Sequence, residues 1–176
     1  TRTWIAANEC NNADTCVQII TVQDNQGPTI VCPPDITIQC DESTDPSNTG
    51  QATASDLCDP TPEVSYIDVT VAGLCPQEYT ITRTWKATDA CGNMSTCNQI
   101  ITIDDSTPPM ITCPGNVTIE CTASTAPANT GTATATDNCS TPTVTYTDIS
   151  LPGLCPSEYV ISRIWKATDA CGNMST

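Results

Sequence analysis

Three tryptophans, Trp4, Trp85 and Trp165, stand 81 and 80 residues apart, and the cysteines keep the same step. Cys10, Cys91 and Cys171 form one series. Cys16 with Cys97, Cys32 with Cys113, Cys40 with Cys121, Cys58 with Cys139 and Cys75 with Cys155 form the others. The phrase "ITRTWKATDACGNMST" at Ile81 to Thr96 returns as "ISRIWKATDACGNMST" at Ile161 to Thr176. A step of this size is longer than the roughly 20–50 residues of a solenoid repeat and suits small domains strung in series. Residues 1–26 read as the C-terminal part of a first repeat, residues 27–107 as a complete one, and residues 108–176 as a third that lacks its last strand. The odd total of 13 cysteines is what a window on a longer array would contain.

Composition narrows the class. Thirteen Cys and 14 Pro, with no His and no Phe, describe a loop-rich, extracellular, all-β protein whose small cores need covalent support. No apolar run is long enough to span a bilayer, and no secretion leader is legible. Acidic residues outnumber basic ones 20 to 5, and the net charge of −15 opposes nucleic acid and anionic membranes as partners. All five basic residues lie in the recurring phrase: Arg2, then Arg83 with Lys86, then Arg163 with Lys166.

Within one repeat the apolar pattern alternates by two, as strands require. "ITIQC" sets Ile36, Ile38 and Cys40 on one face, and "QATAS" does so for Ala52 and Ala54. "VSYIDV" aligns Val64, Tyr66 and Asp68, "YTITRTWKA" aligns Tyr79, Ile81, Arg83, Trp85 and Ala87, and "CNQIITI" aligns Ile101 and Ile103. Clusters such as "STDPSNTG" and "LCDPTP" carry turn chemistry, and no segment has helical period. The expected fold is all-β: immunoglobulin-like antiparallel sandwiches in tandem, with the last two strands joined by "ACGN".

The phrases "DDSTPPMITCPGNVTIEC", "TATATDNCS" and "WKATDACGNMSTCNQIITIDD" touch nearly every strand of the unit. They resemble the HYR (hyalin repeat) family of immunoglobulin-like modules. The likeness is to the cysteine-richer version found in very long surface proteins of Bacteroidota, including gliding-motility adhesin filaments. The resemblance implies secretion, a mechanical or adhesive role and no catalytic residues. Cys75 and Cys91 depart from the simpler pattern of the family.

The cysteines read as disulfides, because the chain has neither His nor the close Cys pairs that structural zinc requires. In a sandwich of this type Cys32, Cys58, Cys91 and Cys97 fall at one pole, and Cys40 and Cys75 at the other. The expected pairs are therefore Cys40 with Cys75, Cys32 with Cys97 and Cys58 with Cys91. Their counterparts in the third repeat are Cys121 with Cys155 and Cys139 with Cys171. Cys91 with Cys97 and Cys32 with Cys58 is the alternative if the "ACGN" turn is wide.

Arg83 shares its face with Trp85 and needs a partner if that face is buried. If Tyr66 faces Trp85 across antiparallel strands, the same register sets Asp68 opposite Arg83. In the third repeat it sets Asp148 opposite Arg163, beside Tyr146 and Trp165. The expectation is a cross-strand ion pair beneath an aromatic pair, with the arginine plane stacked on the tryptophan.

The linkers "VQDNQGP" and "IDDSTPP" are short, acidic and stiffened by proline. In a head-to-tail array Asp104 and Asp105 approach Asp137, Asn138 and Asp169 of the next repeat. Two readings stand: a calcium site of converging oxygens, or a solvated acidic surface. The first joint offers Asp24, Asn25, Asp56 and Asp89. "DST" at Asp105 to Thr107 resembles a bacterial O-glycosylation signal centred on Ser106, and Asn93, Asn116, Asn138 and Asn173 match the N-linked acceptor pattern.

No nucleophile–base pair, phosphate loop or one-copy acidic constellation is legible, so no enzyme is expected. The leading reading is a structural segment of a secreted filament or long surface adhesin, giving reach and durability. Its partners are further copies of the repeat, with lateral neighbours and surface glycans left open. The competing reading is an array of modules that bind polysaccharide or protein through avidity.

Overall fold

The computed structural model describes residues 1–176, and nearly all its regular structure is strand. The hairpin of β1 (Arg2–Ala7) and β2 (Ala13–Gln18) comes first. Then follow β3 (Thr29–Val31), β4 (Ile36–Gln39), the one-turn helix α1 (Pro46–Thr49), β5 (Thr53–Ser55), β6 (Glu63–Ala72), β7 (Tyr79–Thr88) and β8 (Met94–Asp104). The same order resumes with β9 (Met110–Thr112), α2 (Pro127–Thr130), β10 (Thr134–Thr136), β11 (Thr143–Pro152), β12 (Tyr159–Thr168) and β13 (Met174–Ser175).

Residues 27–107 form a sandwich-like pair of sheets. One holds β3 and β5; the other runs in the order β4-β8-β7-β6. Every pairing is antiparallel except that of β4 with β8, which is parallel. The departure from a purely antiparallel sheet has a local cause. Pro33 and Pro34 supply no N–H to a ladder, so the first extended stretch breaks there. Its first half, β3, pairs with β5, and its second half, β4, crosses to lie beside β8.

The alternation legible in β7 is realised in its burial. Ile81, Arg83, Trp85 and Ala87 are buried, whereas Lys86 is exposed. Ile38, Ile81, Ile101 and Ile103 form the apolar core, with Ile36, Cys40 and Tyr79 packed against it. Only 18 of 176 residues are buried, which makes covalent cross-links important to a unit this small. Three disulfides are present, as suits an oxidising compartment, and no helix is long and apolar enough to cross a membrane.

"DPSNTG", expected as a plain turn, closes into one helical turn with Pro46 at its start. It ends at Gly50 with φ +95°, and a Cβ there would lie 2.7 Å from Pro33 Cβ. Gly131 repeats this after α2, with φ +102° and Pro114 Cβ at 2.6 Å. Glycine is thus required twice over, by backbone sign and by close approach.

The register also recurs. Trp4 faces Cys16 in the first hairpin as Trp85 faces Cys97 between β7 and β8. No strand equivalent to β6 lies beside β1, and Trp4 is 57% exposed where Trp85 is 1%.

Candidate functional site

Two features stand out: a buried polar cluster inside the complete repeat and a densely connected joint between that repeat and the next. In the first, Asp68 on β6 faces Arg83 on β7. Arg83 Nε donates to Asp68 Oδ1 at 2.8 Å and Nη2 to Oδ2 at 2.9 Å. Nη1 donates to Thr49 Oγ1 at 3.0 Å, and Nη2 also to the Thr44 carbonyl at 2.9 Å. The hydrogen bonds it donates to Asp68 raise the Arg83 pKa further, against its burial. The guanidinium lies over the Tyr66 ring at 4.4 Å and farther from Trp85, at 5.8 Å, so tyrosine is its nearer aromatic neighbour, in place of the expected tryptophan. Thr49 and Gln99 complete the cluster. Gln99 Oε1 accepts from Trp85 Nε1, and its Nε2 donates to the carbonyls of Pro34 and Thr49.

The third repeat reproduces the pair. Arg163 donates from Nε to Asp148 Oδ1 at 2.7 Å and from Nη2 to Oδ2 at 2.8 Å, with Thr130 and Thr125 as its other partners. Register fixed both arginine–carboxylate pairs in advance. Thr49 and Gln99 were missed, because a turn threonine and a strand glutamine carry no pattern that marks them as buried.

The disulfides depart from the expected scheme. Cys32, just beyond β3, is bonded to Cys97 on β8, tying the two sheets together with Cα atoms 6.0 Å apart. This excludes the alternative pairing of Cys32 with Cys58 and of Cys91 with Cys97. The other two bonds cross between repeats. Cys40 joins Cys139 at a Cα separation of 5.8 Å, and Cys75 joins Cys171 at 5.1 Å. The expected pairs of Cys40 with Cys75 and of Cys139 with Cys171 are therefore corrected. Cys58, Cys91, Cys121 and Cys155 carry free thiols, so the expected Cys58–Cys91 and Cys121–Cys155 bonds are absent as well. The physical reason is stacking. Cys40 and Cys75 lie at the trailing pole of one repeat, where the leading pole of the next, with Cys139 and Cys171, docks against it. The charge on Asp24, followed by burial, holds the Cys58 thiol above its ordinary range, which disfavours a reactive thiolate.

At this joint the linker is held from both sides. Gln39 Nε2 donates to Ser106 Oγ at 2.8 Å, and Thr107 Oγ1 donates to Gln39 Oε1 at 3.2 Å. From the following repeat, Asn173 Nδ2 donates to the Asp105 carbonyl at 2.7 Å and Ser175 Oγ to the Pro109 carbonyl at 2.5 Å. Asn93 makes the matching contact to the Asp24 carbonyl at the first joint, at 3.3 Å. This clamp was not foreseen, although the repeated "CGNM" marks its residue.

Of the acidic set at the second joint, Asp105 and Asp137 come together, and Asp169 lies near enough for its charge to act on Asp105. Asp105 is 3% exposed, and neither of its carboxylate oxygens has a hydrogen-bond partner. Asp137 uses Oδ1 to accept from the Cys139 and Ser140 N–H groups, and Asp169 uses Oδ1 to accept from those of Cys171 and Asn173. The remaining Oδ2 of each is buried and unpartnered. Carboxylate oxygens of Asp105 and Asp137 lie within 4.8 Å of each other. Burial, then the charges of Asp137 and Asp169, push the Asp105 carboxyl above its ordinary range, and the nearby Thr107 N–H offsets only part of this. Asp104, like Asp169, stands outside the pair of Asp105 and Asp137, and Asn138 turns away, donating to Asp41 Oδ1 at 3.1 Å, so it leaves the expected ligand set.

Ser106 and Asn116 are exposed. Asn93, Asn138 and Asn173 have their amides engaged in the contacts above, so these three sidechains serve the joints as hydrogen-bond donors. No protein-family model matches the chain, and no curated protein matches it.

Proposed function

We propose that the chain is a segment of the shaft of an extracellular filament or long surface adhesin, built from HYR-like, immunoglobulin-like repeats and serving reach and durability. The observation that carries this reading is the pair of bonds Cys40–Cys139 and Cys75–Cys171, which join successive repeats. Two covalent bridges between neighbours limit bending and extension at the joint, which is what a tension-bearing rod requires.

The free thiols support the same reading. By the repeat step, Cys58 and Cys121 are the two halves of the Cys40–Cys139 bond. Cys10 and Cys91 correspond to Cys171, and Cys155 to Cys75; Cys16 corresponds to Cys97, and Cys113 to Cys32. Each of the seven unpaired cysteines is thus equivalent to one half of a bond already present once, which is the pattern a longer array of such repeats would close. The rival class, an array of sugar-binding modules, draws less support, since Trp85 and Trp165 are buried and unavailable as stacking platforms.

The reading predicts a mechanical signature. In such an array, tension enters a repeat at its Cys91 position and leaves at Cys75, or enters at Cys58 and leaves at Cys40, so only 16 or 18 residues of backbone lie on the path. At ~3.5 Å per residue, a fully pulled-out repeat extends to about 60 Å, against about 280 Å for the whole unit. Single-molecule pulling on native arrays should show the short extension when oxidised and the long one after reduction. Long extensions under oxidising conditions would overturn the shaft reading.

A further inference from the structure

We propose that Asp105 and Asp137, with Asp169 beside them, form the core of a binding site for a hard divalent cation, calcium by preference, at the joint between repeats. The carboxylates come from three separate segments: the linker after β8, the loop after β10 and the turn after β12. Each Asp in the two loops spends one oxygen on backbone N–H groups, which fixes its side chain and leaves the other oxygen facing inward. Asp105 brings two oxygens, both buried and both without a donor.

The two donorless oxygens of Asp105, buried beside the free oxygens of Asp137 and Asp169, are unstable as a carboxylate, because burial strips them of water and the neighbouring charges repel. A divalent cation removes both penalties at once. The donor set selects the ion. It is all oxygen, the chain has no His, and the one sulfur nearby, Cys139 Sγ, is engaged with Cys40. Soft and borderline metals are therefore disfavoured. The paired free oxygens of Asp105 suit bidentate contact, which the six-to-eight-coordinate calcium shell accepts more readily than the tight octahedron of magnesium, with water completing the shell. Asp24, Asp56 and Asp89 occupy the equivalent positions at the first joint, and oxygens of Asp24 and Asp56 again lie within 4.8 Å of each other. The site arises from joint geometry alone and stands apart from the shaft reading.

The competing occupant is a proton shared among the carboxylates. To separate the two, the full chain, with its free thiols alkylated and its metal removed by chelation, is titrated with calcium chloride by calorimetry at neutral pH, and its thermal midpoint is followed in parallel. The expected result is saturable binding with a raised midpoint. Asp105→Asn should weaken binding at this joint by at least about tenfold, through loss of ligand charge, while leaving the chain folded. Asp137→Asn provides a second variant should the first misfold. Absence of saturable binding up to millimolar calcium, or binding indifferent to both substitutions, would overturn the site. So would a carbon-13 signal of the Asp105 carboxyl that titrates as a neutral acid near pH 7 and ignores calcium.

Discussion

Cys75 and Cys171 lie 96 residues apart in sequence, yet their Cα atoms are 5.1 Å apart and their sulfurs are bonded, joining the β6–β7 loop of one repeat to the β12–β13 turn of the next. With Cys40–Cys139 and the peptide linker, they make three covalent connections across a single joint. One tether leaves two bodies free to swivel, and two leave a hinge axis. A third, off that axis, removes the hinge. Bending and twist at the joint are thereby restricted by bonds as well as by packing.

Peptide mapping checks this connectivity directly. Digestion without reduction should release cross-linked peptides containing Cys40 with Cys139, Cys75 with Cys171 and Cys32 with Cys97. In a native array free thiol should be nearly absent. Recovery of Cys40 linked to Cys75 would restore the within-repeat scheme and remove the covalent joint.

Asp68→Ala strips the buried Arg83 of its counter-ion and leaves an uncompensated charge. A loss of about 3–5 kcal/mol in unfolding free energy is expected by chemical denaturation. Asp148→Ala should cost less, because the Arg163 side chain is 13% exposed against 2% for Arg83, and water can take over part of its solvation. Equal, near-zero effects would mean that the pairs are ordinary surface contacts.

Gly50→Ala should destabilise by about 1–3 kcal/mol, since it combines positive φ with a clash against Pro33. Gly92, at φ +88°, has open space where a Cβ would go, so Gly92→Ala pays only the backbone term, about 1 kcal/mol. Thermal melts of the two variants side by side measure the difference.

The hydrogen bonds from Arg163 hold the Asp148 carboxyl below its ordinary range, against a smaller effect of burial. A depressed folded-state pKa contributes stability that is complete above the unfolded value, ~3.9, and is lost as pH falls through the folded value. The chain should therefore lose stability in acid below about pH 4, and Asp148→Asn should flatten that part of the profile. A pH–stability curve identical in the variant would remove Asp148 from the account.

How much of this was legible beforehand depended on the range of the cause. Period-two alternation marked Ile81, Arg83, Trp85 and Ala87 as one face, and the antiparallel register then placed Asp68 against Arg83 and Asp148 against Arg163. These relations follow from strand geometry, which any strand pair obeys. The parallel alignment of β4 with β8 was less accessible. It depends on where the chain goes after the break at Pro33 and Pro34, and the sequence marks the break without giving the destination.

The acidic joint shows the same boundary. The short linker and the repeat step placed Asp105 and Asp137 in one neighbourhood, but Asn138 shared the same credentials. Side-chain direction separated it: Asn138 turned to Asp41, and Asp105 turned inward.

The repeat, the strands, the faces they present and the two cross-strand ion pairs are all legible in the chain alone, because each is set by local alternation and by the fixed geometry of neighbouring strands. Which cysteine meets which, and which carboxylates converge, emerges only in the folded molecule. Those choices rest on how the trailing pole of one repeat docks on the leading pole of the next. That docking sums many weak contacts between residues distant in sequence, and no local pattern encodes it.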